Sequence, residues 1–478
     1  MPFEAVIGME VHAQLITKSK MFCRCSADYA SAPANSHTCP VCLGMPGMLP
    51  MINRQAVEST VLMGLALNCE IPAFSKFDRK NYMYPDLPKG YQISQYDLPF
   101  ARNGSIEVPL EQGSKRIRIR RVHLEEDTAK LMHQGGYSLI DFNRAGVPLM
   151  EVVTESDLRT AEEAWQYLVR LRTILRYLGA GTGNMEQGAM RCELNISLRP
   201  TGEERLGTKV EVKNMNSFRA VRQAIAYEIE RQTRVLNEGG KIEQVTMGWD
   251  EANHRTEFQR SKEGAEDYRY FPEPDLPPIV WDESDITAFR ARLPELPEAR
   301  YKRFISQYRL KPEDASLLTD DRANADYFEA AALAASGTAE PQMVANWILS
   351  ELFSLARDGG IELAACRVPP QALADLLKAV CLGTINATVA KNVLAEMFST
   401  GVTAATIISR HGLMQISDQD TLRQMVNQVL AANPKAVQQF REGKKTALGF
   451  LIGQIMRQTH GQANVKIVES LLRQRLMS

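Results

Sequence analysis

The residues with the clearest chemical potential are carboxylates and histidines at two-residue spacing. GMEVHAQ places Glu10 and His12 two residues apart, and HLEED places Glu125 two residues after His123. Because successive side chains of a strand point to opposite faces, each segment is expected to present these polar residues on one face. Together with Glu151, such a face would gather carboxylates around a divalent cation.

Phosphate chemistry would make Mg²⁺ the expected ion at this face, because Mg²⁺ takes oxygen ligands and is usually held by few carboxylates plus substrate phosphates. His12 is a poor ligand for so hard an ion. It is expected either to orient a ligand from behind or to indicate Mn²⁺ or Zn²⁺ instead. The alternative is an ordinary solvated face, since charge-rich strands usually face water.

A second cluster consists of cysteines in the order C-x-C, thirteen residues, C-x-x-C. Tetrahedral Zn²⁺ takes four thiolates from two short segments of this kind, so we expect zinc here, with four unligated thiols as the alternative. Four sulfurs would fill the coordination shell, and the zinc would therefore brace the fold. The four expected ligands are Cys23, Cys25, Cys39 and Cys42.

The segment from Phe77 to Pro99 interleaves basic residues with tyrosines. This composition suits phosphate contacts and base stacking, although a tyrosine-rich core loop would look similar. The sequence contains no Walker A motif, dinucleotide-binding GxGxxG, kinase signature or nucleophile elbow. Any nucleotide site must therefore be built differently. The basic residues of the segment are Arg79, Lys80 and Lys89.

Strict strand alternation divides RIRIRRVHLEED between two faces. One face would carry three arginines, which either face solvent at a sheet edge or contact RNA, and the other would carry the acidic residues. The first set is Arg116, Arg118 and Arg120, and the second is Ile117, Ile119, Arg121, His123, Glu125 and Asp127.

The elements that must position these residues predict an α+β protein. Alternating segments such as RCELNISLR and VEVKN indicate a largely antiparallel sheet with one wet face, a cradle domain over residues 1–292. A proline-rich junction follows, and Ser284 or Asp285 is expected to cap the next helix. Beyond it the pattern is helical, and a Gly-containing break divides it into domains 293–411 and 412–478.

Composition limits the partners. The 478 residues contain 56 Lys and Arg against 57 Asp and Glu, so no global basic field marks a nucleic-acid binder. From Arg441 to the end, however, seven cationic residues face two glutamates, a local patch suited to an RNA backbone. The N-terminus has no signal-peptide pattern and no apolar run is long enough for a membrane span, so a cytoplasmic protein is expected.

Several longer segments carry a family resemblance. GMEVHAQL, HTCPVCLGMPGMLP, FDRKNYMYPDLPKGYQISQ, HLEEDTAK, DFNRAGVPLMEVVTE and RSKEGAEDYRYFPEPDLPP resemble, in order and spacing, the motifs of the B-subunit family of tRNA-dependent amidotransferases. The resemblance implies an enzyme that uses ATP and Mg²⁺ to phosphorylate the side-chain carboxylate of Glu or Asp misacylated on tRNA(Gln) or tRNA(Asn). Ammonia from a partner glutaminase then amidates the acyl phosphate.

The resemblance also implies partners and site residues. The partners would be an amidase that hydrolyses glutamine, a small third protein that completes a heterotrimer, and misacylated tRNA, the last bound by the helical tail. The rival classes are a tRNA-binding or assembly factor without chemistry and an ATP-dependent ligase acting on a free amino acid. Carried over by motif, the metal and catalytic residues are Glu10, His12, Glu125 and Glu151, and the ATP or aminoacyl-end contacts are Arg79, Lys80, Lys89, Arg191, Lys213 and Asn214.

Overall fold

The protein is described from a computed structural model, which defines residues 2–261, 268–416, 418–442, 444, 446–459 and 461–477. The chain forms two compact units, Met1–Leu296 and Pro297–Ser478. The first is dominated by strands and the second by helices, which confirms the α+β class. Residues 262–267 of the RSKEGAED motif and Lys445 of the basic tail lie outside the described residues.

The first unit is built on an eight-stranded sheet of order β13-β12-β11-β10-β1-β9-β6-β5. The sheet is antiparallel as predicted, apart from the parallel pair β11 and β12. The strands are β1 (Phe3–Gln14), β2 (Phe74–Ser75), β3 (Asp78–Asn81), β4 (Tyr91–Ser94), β5 (Ala101–Leu110), β6 (Gly113–Glu126), β7 (Lys130–Gln134), β8 (Tyr137–Asp141), β9 (Pro148–Thr154), β10 (Met190–Pro200), β11 (Val210–Met215), β12 (Val245–Asp250), β13 (Arg255–Ser261), β14 (Phe271–Pro272) and β15 (Ile279–Val280).

One face of the sheet is apolar and packs against helices. Val11 of β1, Met150 of β9 and Leu194 of β10 are buried there in one continuous core. Removing this apolar surface from water stabilises the sheet and leaves its other face free for polar side chains. The helices of this unit are α1 (Arg54–Ala66), α2 (Ala161–Tyr177), α3 (Phe218–Asn237) and α4 (Glu283–Arg292).

The face assignment within β6 differs from strict alternation. Ile117 and Ile119 are buried in the same core as Val122 and Leu124, although the sequence predicted that the isoleucines would share a face with His123 and Glu125. A β-bulge between Ile119 and Arg121 explains the difference, because one extra residue reverses the alternation. The expectation was therefore wrong for the isoleucines.

The predicted arginine face is solvated, and its last member, Arg120, is the extra residue of the bulge. Arg118 pairs with Asp157 at 2.6 Å and Arg120 pairs with Glu155 at 2.8 Å, and both arginines are exposed. Near the end of the unit, Asp282 caps α4 in a reciprocal capping box with Asp285. The cap is thus earlier than the Ser284 or Asp285 expected from the sequence.

The second unit contains two hydrophobic clusters, one between Phe304 and Ile408 and one between Leu422 and Leu476. A π-helical turn, Trp347–Leu352, joins two short helices. Within the described residues, no helix is long and apolar enough to cross a membrane. The helices are α5 (Pro297–Tyr308), α6 (Pro312–Thr319), α7 (Arg322–Ala334), α8 (Pro341–Asn346), α9 (Phe353–Asp358), α10 (Pro370–Cys381), α11 (Ala387–Thr400), α12 (Ala404–Arg410), α13 (Gln419–Ala432), α14 (Pro434–Arg441), α15 (Thr446–Gln458) and α16 (Val465–Met477).

Candidate active site and zinc site

The polar face of the sheet arranges its functional side chains in a cross-strand row. His123 of β6 lies opposite Glu151 of β9, Glu151 lies opposite His12 of β1, and His12 lies opposite Arg191 of β10. Glu125 follows His123 on the same face of β6. Antiparallel pairing therefore brings His12 next to Glu151 and Arg191, each more than a hundred positions away in the chain.

Three of the predicted metal ligands converge in this row. The Nε2 atom of His12 lies 3.7 Å from a carboxylate oxygen of Glu125 and 3.4 Å from one of Glu151. One ligand atom from each of the three residues lies within 4.8 Å of the others. Both carboxylates are buried, so they are held in a water-poor site.

Burial and mutual repulsion make this arrangement electrostatically unusual. Burial and the Glu151 charge raise the pKa of Glu125, whereas the two imidazoles of His123 and His12 hold the pKa of Glu151 well below its ordinary value despite burial. Burial alone would lower the pKa of His12, but Glu151 and Glu125 raise it to about 9. Nearby positive charge therefore stabilises both groups as carboxylates, and a divalent cation would supply more of it.

The donor set fits a divalent metal with open positions. Two carboxylates and one imidazole provide three ligand atoms, which leaves room for substrate oxygens or water. Glu10, the fourth predicted ligand, lies outside this group of three and accepts a hydrogen bond from Asn195 at 3.0 Å. Burial and the neighbouring Glu151 raise the pKa of Glu10.

Two supporting residues were not among the predicted site residues. His123 is buried, and its Nε2 atom lies 3.0 Å from Glu151. Ser94 of β4 donates a hydrogen bond to Glu125 at 3.2 Å. Such partners fix the orientation of metal-binding carboxylates. The two-residue spacing to Glu125 placed His123 on the predicted polar face without giving it a role, and no local pattern points to Ser94.

The predicted nucleotide-binding cations occupy different environments. Lys80 stands 4.8 Å from the centre of the Tyr268 ring, within electrostatic reach of Glu125. Arg191 and Lys213 lie on the polar face, where Arg191 pairs with Asp127 at 2.7 Å and Lys213 with Glu193 at 2.7 Å.

The remaining candidates lie away from this row. Arg79 forms an ion pair with Glu273 at 2.6 Å. Lys89 pairs with Glu126 at the wall of a cavity of about 210 Å³ that Cys23 and Cys42 also line. Asn214 is exposed, with a left-handed backbone at φ +65°.

The four cysteines converge as the sequence predicted they would for zinc. Their sulfur atoms lie within 4.8 Å of one another, and the Cys39 and Cys42 sulfurs are 3.9 Å apart. Four sulfurs about 2.3 Å from a tetrahedral zinc would be separated by about 3.8 Å, so the geometry fits that ion. A hydrogen bond from Cys23 and the nearby Lys20 ammonium help to lower the pKa of Cys42 to about 5.

A fully buried lysine joins this cluster to a neighbouring loop. The Lys20 Nζ atom lies 3.8 Å from the Cys42 sulfur and donates a hydrogen bond to the Phe142 carbonyl at 3.2 Å. In the same loop, the buried Asn143 accepts a hydrogen bond from the His37 backbone, and Arg144 donates to the Thr128 carbonyl. The cysteine cluster therefore anchors the loop that precedes β9 and Glu151.

Comparison with known proteins gives the same picture over almost the entire chain. Residues 5–287 match the family described as the GatB/GatE catalytic domain, and residues 326–476 match the GatB domain. The chain is 55% identical to the B subunit of the aspartyl/glutamyl-tRNA(Asn/Gln) amidotransferase of Dehalococcoides mccartyi, over 99% of both chains. It is 53% identical to the B subunit from Thermomicrobium roseum, over 100% of this chain and 99% of that relative, and 51% identical to the one from Carboxydothermus hydrogenoformans, over 99% of each. The chain therefore belongs to the B-subunit family of the tRNA-dependent amidotransferase.

Proposed function

We propose that this chain phosphorylates the side-chain carboxylate of Glu or Asp misacylated on tRNA(Gln) or tRNA(Asn) and then amidates it with ammonia. The observation that carries the proposal is the convergence of His12, Glu125 and Glu151 on a buried polar face. This set can hold a cation while leaving positions for phosphate oxygens. Family membership supplies the substrate class.

The reaction follows from the weakness of a carboxylate as an acceptor for ammonia. A carboxylate oxygen of the aminoacyl group attacks the terminal phosphorus of ATP, ADP leaves, and an acyl phosphate forms. Ammonia then attacks the carbonyl carbon, inorganic phosphate leaves, and the nitrogen loses a proton to give the amide. No covalent bond to the protein is needed, so positioning and charge neutralisation carry the catalysis.

The residues of this chain divide that work. Glu125 and Glu151 would hold Mg²⁺ together with His12, the weakest of the three ligands for so hard an ion, and Mg²⁺ when bound neutralises phosphate charge during transfer. Lys80 would face the phosphates from the tyrosine side of the site. Arg191 and Lys213 stand on the same face but are partly neutralised by Asp127 and Glu193, which suits contacts to the aminoacyl end better than to ATP.

The cysteine cluster and the helical unit would serve this site from outside. Zn²⁺ at the four cysteines would brace the loop before β9, with no position open for chemistry. The described cations of the tail are exposed, so they can contact the tRNA backbone. These cations are Arg441, Lys444, Arg457, Lys466, Arg473 and Arg475.

The partners would be the amidase, which supplies ammonia by hydrolysing glutamine, and the small third protein of the heterotrimer, in the cytoplasm where tRNA is charged. The test is ATP hydrolysis by the complex with and without misacylated tRNA. Turnover that requires the misacylated tRNA and collapses in Glu125→Ala is expected. Wild-type complex that binds tRNA but never turns over ATP would instead indicate a tRNA-binding protein without chemistry.

A further inference from the structure

Arg121 stands out among the cations of the polar face because none of the described carboxylates pairs with it. It is half-buried, and its Nε atom is completely buried without a hydrogen-bond partner. Within the part of the chain that the structure describes, no ion pair involves it. Four of the five other candidate cations are held in pairs: Arg79 with Glu273, Lys89 with Glu126, Arg191 with Asp127, and Lys213 with Glu193. The fifth, Lys80, lies over the Tyr268 ring.

The position of Arg121 follows from the bulge in β6. Arg121 comes directly after the bulge and shares the polar face with His123, two residues further along, and it lies opposite Val153 of β9. Residues two apart on a strand are separated by about 6.6 Å along it, so Arg121 is adjacent to the row that contains Glu151 and His12. Its guanidinium also lies within electrostatic reach of Tyr270.

A half-buried guanidinium whose Nε atom is buried without a partner is costly, since burying a polar or charged group is unfavourable unless a partner compensates it. The neighbouring carboxylates of the row, Glu125 and Glu151, are already committed to His12 and His123. A phosphate group bound to a cation at those carboxylates would lie next to Arg121 and could compensate its charge. The planar fork of arginine matches two phosphate oxygens, which a lysine cannot do.

We propose that Arg121 is a phosphate-binding residue of this site, which holds a phosphate group bound to the metal. The inference rests on the proposed function for the identity of the natural ligand, a nucleoside triphosphate. It assigns the paired cations Arg79 and Lys89 to the scaffold. The bulge in β6 lets Ile117 and Ile119 enter the core while Arg121, His123 and Glu125 keep the polar face.

The experiment compares Arg121→Met and Arg121→Lys with Arg120→Met in the complex with the partner proteins. Arg120 is the adjacent residue and is exposed and paired with Glu155, which makes it a matched control. We expect Arg121→Met to weaken Mg²⁺·ATP binding by roughly 10- to 100-fold, Arg121→Lys to weaken it less, and Arg120→Met to leave it unchanged. Mn²⁺ binding without nucleotide, measured by electron paramagnetic resonance, should be equal in all four proteins.

Two results would overturn the inference. Wild-type affinity for Mg²⁺·ATP in Arg121→Met would show that no phosphate contacts this residue. An equal loss of Mn²⁺ binding in both Arg121 variants would show that the residue only shapes the metal site.

Inorganic tripolyphosphate with Mg²⁺ separates this inference from the proposed function. If wild type binds tripolyphosphate in an Arg121-dependent manner but never hydrolyses ATP with misacylated tRNA, the phosphate site stands and the proposed reaction fails. If ATP turns over but no phosphate probe responds to Arg121→Met, the reaction stands and this inference fails. Binding of neither probe by wild type would reject both.

Discussion

The two candidate metal sites of this chain are built in opposite ways. Cys23, Cys25, Cys39 and Cys42 come from one short irregular segment, and three of them are partly exposed. The other site takes single residues from three strands of the sheet and buries both of its carboxylates. Four sulfurs close a tetrahedral shell, whereas two carboxylates and one imidazole leave it open. The cysteine site is therefore suited to stabilising the fold, whereas the carboxylate site can also bind a substrate.

Each site also has a buried charged or polar residue behind it, but the two have different consequences. Lys20 faces Cys42 and fastens a loop through the Phe142 carbonyl, so it acts on backbone position. His123 faces Glu151 from within the sheet, so it acts on a ligand side chain. Damage to the first site should therefore be felt mainly in stability, and damage to the second mainly in chemistry.

The largest effect is expected from Glu151→Gln. The substitution removes one of two anionic ligands and leaves His12 and His123 facing an amide, so metal affinity and tRNA-dependent ATP turnover should each fall by roughly 100-fold or more. Mn²⁺ titration and steady-state turnover measure this. Glu155→Gln, four residues further along and paired with Arg120, should retain both. Full turnover in Glu151→Gln would show that the catalytic metal site lies elsewhere.

Cys39→Ser should affect stability more than turnover. Loss of one thiolate is expected to abolish stoichiometric zinc and to lower the thermal midpoint by roughly 5 °C or more, while turnover at low temperature falls by only about tenfold. Elemental analysis and calorimetry measure the two effects. Cys381→Ser is the matched control, because that cysteine is exposed and outside the cluster. A zinc-free variant with an unchanged thermal midpoint would show that zinc does not stabilise the fold.

Chelation should distinguish the two sites without mutation. Mg²⁺ held by three protein ligands exchanges readily, so EDTA should stop ATP turnover within the mixing time. Added Mg²⁺ should restore turnover fully. Zinc held by four thiolates should remain in the protein over the same period. Simultaneous loss of zinc and activity, with restoration only by Zn²⁺, would contradict the division of roles.

The sequence predicts these two sites unequally well. The cysteine spacing is local, so C-x-C and C-x-x-C were sufficient to anticipate the cluster. The open site depends on strand register between β1, β6 and β9, which period-two alternation predicts only while the strand remains regular. The bulge before Arg121 interrupts the alternation, so the sequence pattern assigned Ile117 and Ile119 to the wrong face. Ser94 reaches Glu125 from a different small sheet, a contact that no local pattern encodes.

The smallest effect is expected from Lys20→Met, and it tests whether the closed site needs its counterion. Removing one member of a buried charged contact is normally destabilising, but zinc would still hold the four thiolates, so the thermal midpoint should fall by about 3 °C, less than in Cys39→Ser. The zinc-bound thiolates, however, would lose the ammonium 3.8 Å from Cys42. Zinc transfer to a chromogenic chelator should therefore accelerate by about tenfold.

Lys18→Met is the matched control for this effect, because Lys18 lies two residues away and is exposed. If Lys20→Met releases zinc at the wild-type rate, the lysine serves only to hold the Phe142 carbonyl, and the loop alone links the cysteine cluster to β9. If zinc release accelerates while turnover before release is unchanged, the closed site is tuned for retention of its metal. The two sites would then differ in their ligands and also in the role of the buried side chain next to them, because Lys20 would slow the release of zinc whereas His123 orients Glu151.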